Sequence, residues 1–325
     1  MFLYPTSAQL DAYRLQGDRA ADAFIESHRP LWQGQVPQLM EWLSGPAQSP
    51  VPEALAEAFA GFRAVQDFPV WMEEKRVLRA CRFFQEHEKD ILLLLGTLSL
   101  PYCYAAADGV KVLHFSQRLH QDAFRRLQET ARFVRFVNKA AHWQKPELLQ
   151  GYILKIRLFH AFIRFKLRHT ATWNSAWGLA VNQEDMAGTN LSFSYIVLRG
   201  LRRLGYQASP QEAADYLHLW NVIGCLLGVE ETLLPHSLKE AFYLDKMIAQ
   251  RQFRESTEGQ LLTKALLEVF ATQAPSQLYY EILVATMHQV LGRELCTLLQ
   301  VPESFSQKAL GQLIRLRSGW QHFWA

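Results

Sequence analysis

Apolar residues recur at helical spacing along almost the whole 325-residue chain, and this periodicity constrains the fold more than any other feature. Val77, Leu78, Cys81 and Phe84 follow i, i+3, i+4 spacing. Leu119, Phe124, Leu127, Phe133, Val134 and Val137 do so within a helix expected over 118–139. Pro146 sits at a first-turn position with Glu147 behind it, which opens a helix running to about residue 168. Asn182 reads as an N-cap, with Asp185 three residues later, for a helix expected over 182–205. Further helices are expected over 210–227, 238–251, 259–271, 277–299 and 306–318. No Asn-Gly or Asp-Gly turn joins two alternating segments, so strands are not expected. The fold class read from this pattern is all-α.

Length and composition fit one large globular domain. Hydrophobic residues make up 49% of the chain and charged residues 20%. Lys plus Arg number 34 against 31 Asp plus Glu, a net charge of +3, which is too balanced to point to nucleic acid as a partner. The breaker Gln48-Ser-Pro-Val-Pro52 divides a peripheral N-terminal helical layer, residues 1–65, from a core over 66–325. Trp32, Trp42 and Phe59 in that layer must pack on something, either this core or a second subunit, so a homodimer is one expectation. No basic segment followed by an apolar run opens the chain, and the longest uncharged stretch, 91–107, is interrupted by Pro101. The expectation is a cytoplasmic protein without a transmembrane segment.

Several common chemistries lack their residues. Cys81, Cys103, Cys225 and Cys296 form no C-x-x-C pair, so a zinc ribbon, a dithiol redox motif and covalent c-type haem attachment are excluded. There is no H-E-x-x-H, no Glu-x-x-His, no G-x-G-x-x-G after a strand, no phosphate-binding loop and no G-x-S-x-G.

Four constellations remain. His160 and Arg164 lie four residues apart on one face of the 146–168 helix, with Ile153, Ile156, Arg157, Ile163 and Leu167. A neutral imidazole on an apolar helix face suits a haem iron ligand, and it equally suits a core histidine satisfied by a hydrogen bond. Arg157 reaches a cofactor edge or snorkels to water. Arg126, Glu129 and Thr130 share the preceding helix, as a solvated charge cluster or as polar groups beside a buried face. The segment from Asn182 to Thr189 caps a helix, or lets backbone approach a ligand at Gly188. His218 and Trp220, followed by Gly224 and Gly228, allow close approach of a cofactor or of a neighbouring helix, and tight helix packing is the more usual outcome.

Taken in order, Tyr102-Cys-Tyr-Ala-Ala-Ala-Asp-Gly-Val-Lys-Val112, Arg126-x-x-Glu-Thr130, Arg157-Leu-Phe-His-Ala-Phe-Ile-Arg164, Asn182-Gln-Glu-Asp-Met-Ala-Gly-Thr189 and Tyr216-Leu-His-Leu-Trp220 resemble a known family. It is the oxygenase family that includes the latex-clearing rubber oxygenases and the fungal MpaB oxygenase, and the resemblance spans roughly residues 98–299. It implies a globin-like all-α core and non-covalent haem b. It also implies a proximal iron ligand at His160 with Arg164 four residues on, and a distal motif in which Arg126 and Thr130 match and Glu129 replaces a Lys.

The function this resemblance implies is a haem-dependent oxygenase, an oxidoreductase, taking O2 and a small apolar, unsaturated substrate such as an isoprenoid or lipid tail. His160 would ligate iron. Arg126 and Thr130 would donate hydrogen bonds near bound oxygen, and Glu129 would accept a proton. Arg164 would pair a haem propionate or orient the proximal helix. Arg293 is a further candidate for such a contact. Two other readings share the residues: a haem-binding sensor or carrier without turnover, and a cofactor-free helical protein in which His160 is a core residue and Glu129 pairs with Arg126.

Overall fold

The computed structural model describes residues 5–64, 66–115, 123–170 and 172–303. An N-terminal group of helices comprises α1 (Ser7–Arg14), α2 (Arg19–Ser27), α3 (Arg29–Trp32), α4 (Val36–Ser44) and α5 (Ala56–Ala64). Then follow α6 (Glu74–Leu94), α7 (Leu100–Tyr104), α8 (Lys111–Phe115), α9 (Ala123–Val137), α10 (Ala140–Trp143) and α11 (Pro146–Arg168). The rest is α12 (Gln183–Phe193), α13 (Tyr195–Arg203), α14 (Pro210–Leu226), α15 (Leu238–Gln252), α16 (Thr257–Gln273), α17 (Gln277–Leu291) and α18 (Arg293–Leu298). Among the described residues there is no sheet, only an isolated antiparallel bridge between Ala106 and Phe253.

The main core forms where α6 packs along α14 and against α13, and apolar residues of α16 and α17 complete the same cluster. Phe83 lies against Tyr216, ring centroids 5.4 Å apart, and Trp220 stacks on Phe193 at 5.3 Å. Between α6 and α7 the chain makes a buried π-helical turn, Leu95–Ser99. Within it the Thr97 hydroxyl donates to the Leu93 carbonyl at 2.8 Å. Such wide turns often mark functional sites. This one sets the direction of α7, which ends in Cys103 and Tyr104.

Two helices expected to be continuous are broken, each for a local reason. Ser194 separates α12 from α13; its hydroxyl donates to the Asn190 carbonyl at 2.8 Å, a back-bond that competes with the helix ladder. Gly292, at φ 88°, separates α17 from α18, a left-handed position that glycine fills without strain. The helix expected over 118–139 is described from Ala123 onward, and the one expected over 306–318 lies outside the described residues.

The N-terminal helices pack on this chain's own α11. Phe24, Ile25, Trp32 and Trp42 bury themselves against Leu154, Leu158, Ala161 and Phe162. Trp32 meets Phe162 edge-on at 5.4 Å. Beside this apolar seam runs a polar one, formed because α2 and its cap lie parallel to α11. Asp18 takes Arg157 in a two-pronged pair, Nη2 to Oδ1 at 2.9 Å. Asp22 takes Arg164 at 2.8 Å, and Glu26 takes Arg168 at 2.8 Å. The Lys155 ammonium donates to the carbonyls of Gly45 and Pro46 at 3.1 and 2.8 Å. Gly228, at φ 84°, lets the next layer close over the first pair, since a Cβ there would overlap the Asp18 carboxylate.

Burial separates these pairs energetically. The Arg157 and Asp18 side chains are 10% and 3% exposed, those of Arg168 and Glu26 44% and 51%. Asp18→Asn keeps an oxygen for the cap of α2 but leaves Arg157 uncompensated. In equilibrium denaturation it is expected to cost about 3–5 kcal/mol, whereas Glu26→Gln should change stability by about 1 kcal/mol or less. Equal effects would show that the seam is not graded by burial.

Candidate functional site

The site is built from α9, α11 and the end of α7. Phe133 and Phe136 of α9 lie against Tyr152 of α11, ring centroids 5.9 and 4.7 Å apart. This joint is near the C-terminal end of α9 and the N-terminal end of α11. Arg126, Thr130 and Phe133 share a helical face, as do Tyr152, Ile156, His160 and Ile163. At 1.5 Å per residue, Arg126 is about 10 Å along α9 from the joint and His160 about 12 Å along α11. Along the faces that meet at the joint they therefore lie at similar distances from it, and the region they border is the candidate cleft.

His160 meets no partner in this setting. Its Nδ1 is fully enclosed and without a hydrogen bond, yet the ring as a whole keeps accessible surface. Burial, with Arg164 adding to it and Asp18 opposing, pushes its pKa down to about 4, so the imidazole is neutral at neutral pH. Ile156 and Ile163, one turn to either side, are also half-buried, so the stripe they form with His160 is partly accessible. A core histidine satisfied by a hydrogen bond is therefore not what this structure contains. Among the described residues no three His, Cys, Asp or Glu side chains converge as a metal site, so the imidazole offers a single donor.

Arg157 and Arg164, also expected beside the cofactor, flank His160 but are engaged elsewhere. Arg157 is held by Asp18 and donates to Gln66 Oε1 at 2.5 Å. Arg164 donates to Asp22 and, at 2.9 Å, to the Val181 carbonyl, leaving only its Nη2 enclosed and unbonded. Both hold the helix that carries His160. Arg293 opens α18 and is exposed.

On the α9 wall, Glu129 pairs with Arg125 at 2.9 Å, not with Arg126. The Thr130 hydroxyl donates to the Arg126 carbonyl at 2.9 Å, so in this rotamer it offers outward lone pairs and no proton. Arg126 itself has no hydrogen bond or ion pair among the described residues. Burial lowers its pKa while the fields of Tyr104 and Glu129 oppose that shift. Tyr104, at the end of α7, was not singled out by sequence reasoning as a site residue. Its phenol is pushed up to about 12 by burial, keeps some accessible surface and makes no hydrogen bond among the described residues.

The other constellations are structural. Asn182 caps α12 by accepting from the Asp185 amide at 3.0 Å. Glu184 and Asp185 receive Arg14 of α1 at 3.2 and 3.0 Å, and burial raises Asp185 to about 6 against that pairing. Gly188 lies against Ile248 of α15 and not against a ligand space. His218 Nε2 accepts the Glu73 amide at 3.0 Å, and Gly224 lets Asn190 and Leu234 close on α14. A cavity of about 420 Å³ opens between α16 and α17, lined by Gln260, Lys264, Glu268 and Tyr280 among others. It contains none of the site residues expected from the sequence. The α9–α11 region is the better candidate because His160 and Arg126, which lie on it, have no side-chain hydrogen bond among the described residues.

Among the described residues no helix is long and apolar enough to cross a membrane. The structure is similar to that of latex clearing protein LCP in its closed state, with a TM-score of 0.77 at 20% identity, covering 94% of this chain and 82% of the other. That likeness establishes the all-α rubber-oxygenase fold. In sequence, 121 residues are 28% identical to the rubber oxygenase of Streptomyces sp. strain K30, covering 36% of this chain and 30% of that protein. The chain thus aligns with about a third of that relative's length. The family described as ER-bound oxygenase mpaB/B'/rubber oxygenase, catalytic domain, matches residues 90–319, which include α9, α11 and the whole cleft, and the chain belongs to that family.

Proposed function

We propose that this chain is a haem b-dependent oxygenase acting on a small apolar, unsaturated substrate of isoprenoid or lipid type, with His160 as the protein ligand to iron. The observation that carries the reading is His160 itself: a neutral imidazole, deep on an apolar stripe, with no hydrogen-bond partner among the described residues. The donor set fits the group, because haem would need one protein nitrogen to hold its iron and His160 would supply it. Haem, when bound, supplies the activation of O2.

The chain's own residues do the rest. Asp18 and Asp22 fix Arg157 and Arg164, and through them the helix on which His160 stands. Ile156 and Ile163 keep the surroundings of the imidazole dry and give an apolar substrate a matching surface. Arg126 presents N–H donors from α9. Thr130 offers lone pairs beside it, and a rotation of its hydroxyl would release a proton donor. Glu129 acts as proton acceptor when Arg125 lets go of it. The Glu129–Arg125 pair favours a second reading, a haem-binding carrier or sensor with no turnover, since it occupies the carboxylate that a catalytic cycle would use. Oxygen consumption with an unsaturated lipid separates the two readings.

Two outcomes follow from His160. His160→Ala should abolish the Soret band of protein expressed with adequate haem supply, while His218→Ala should retain it. Retention in the first, or loss in both, would remove the ligand assignment. Without haem, His160 resists protonation in the fold but not in the unfolded chain. Its contribution to stability is therefore complete above pH 6.5 and is lost as the pH falls toward about 4. Wild type should lose about 3 kcal/mol more than His160→Gln across that window. His218 and the buried carboxylates titrate in both proteins and cancel in the difference.

A further inference from the structure

The outward face of α15 carries a pair of exposed aromatic rings. Leu15, Leu31, Val70 and Leu278 are exposed at separate points of the chain, which is ordinary for a protein surface. Phe242 and Tyr243 instead stand side by side, 45% and 40% exposed, with ring centroids 5.3 Å apart. Helical geometry sets them on a strip. Lys239, Phe242, Tyr243, Lys246 and Gln250 recur at three- and four-residue steps, and all are exposed. Ala241, Leu244 and Ile248 of the same helix are buried in an apolar cluster with Leu217 and Leu234, so the strip is the face turned from the core.

The other charged groups of α15 are engaged elsewhere. Glu240 accepts from the His236 amide at 2.7 Å, and buried Asp245 takes the Tyr102 hydroxyl at 2.6 Å and pairs with Arg199 at 3.6 Å. Arg251 is held by Glu184 and Asp11 at 2.7 and 2.6 Å. Lys239 and Lys246 have neither a hydrogen bond nor an ion pair among the described residues. The strip is thus two rings with an unpaired ammonium group one turn before them and another one turn after, and no acid on it. Aromatic rings settle at the headgroup level of a bilayer, and lysine stems let their ammonium groups reach lipid phosphates from there. A stable protein interface buries about 800 Å² on each partner, far more than two rings cover. The chain's net charge of only +3 makes the attraction local to the strip. We propose that the 239–250 face of α15 is a peripheral docking surface for an anionic lipid bilayer. The proposal goes beyond the oxygenase reading, and it would set a protein that takes an apolar substrate beside the phase in which such substrates dissolve.

Flotation with unilamellar vesicles at physiological salt tests it on the full chain, haem-loaded and haem-free. Vesicles of phosphatidylcholine alone are compared with an equimolar mixture of phosphatidylcholine and phosphatidylglycerol. Wild type should float with the mixed vesicles and much less with phosphatidylcholine. Lys239→Gln combined with Lys246→Gln should lower that partition about tenfold to thirtyfold, at about fivefold for each charge. Phe242→Ser combined with Tyr243→Ser should lower it on both compositions, and Phe242→Trp should preserve it. Lys89→Gln combined with Lys264→Gln removes the same charge from exposed lysines of α6 and α16, and should change it by less than about twofold, since distant charges are screened. All these are surface changes, so melting temperatures should stay with that of wild type. Wild type that does not float with the mixed vesicles, or equal losses in the two lysine pairs, would overturn the proposal. So would a wild-type dimer that Phe242→Ser turns into a monomer, which would give the face to a second copy of this chain. Haem content, assayed on the same samples, stands apart: vesicle binding by a chain that takes up no haem would refute the oxygenase reading and leave the docking surface standing.

Discussion

The structure depends on the way α2 and its cap grip α11. Asp18 and Asp22 take Arg157 and Arg164, three residues before and four residues after His160. Ion pairs this enclosed add little net stability compared with an apolar seam, but removing one partner is costly, so they act as locks on geometry. They fix the rotation and height of the one helix that carries a free imidazole. The apolar contacts of Trp32 and Trp42 against the same helix supply the burial, and Lys155 on two backbone carbonyls ties in the loop after α4.

That grip explains why the two sides of α11 differ. One side is closed by the N-terminal helices and their carboxylates. The other, with Ile156, His160 and Ile163, is half-buried, and Tyr152 on the same face meets Phe133 and Phe136 of α9. The surface that results is apolar and bears an unbonded imidazole nitrogen, so an occupant that satisfies it carries a metal or proton for His160 and hydrocarbon beside it.

Much of this was legible in the sequence, and what was not has a physical cause. Pro146 and the apolar stripe behind it placed α11 at its observed bounds, and Asn182 capped α12 as its spacing indicated. Periodicity carried those positions because local rules govern them. The same rules put His160, Arg157 and Arg164 on one face but could not say what lay opposite, since Asp18 and Asp22 come from some 140 residues away. For that reason the carboxylates that hold Arg157 and Arg164, and with them the helix of His160, could not be read from spacing. The pairing of Glu129 with Arg125 instead of Arg126 turned on a choice between i+4 and i+3 that side-chain rotamers decide. Tyr104 sat inside a quoted motif, yet its placement depends on the π-helical turn before α7, which no periodicity reveals.

Haem stoichiometry tests the central claim most directly. Protein purified after expression with ample haem supply, assayed by pyridine haemochrome and by iron content, should carry one extractable haem b and one iron per chain. A protein that is folded, colourless and iron-free after such expression, and that takes up no haem when it is added, would contradict the account.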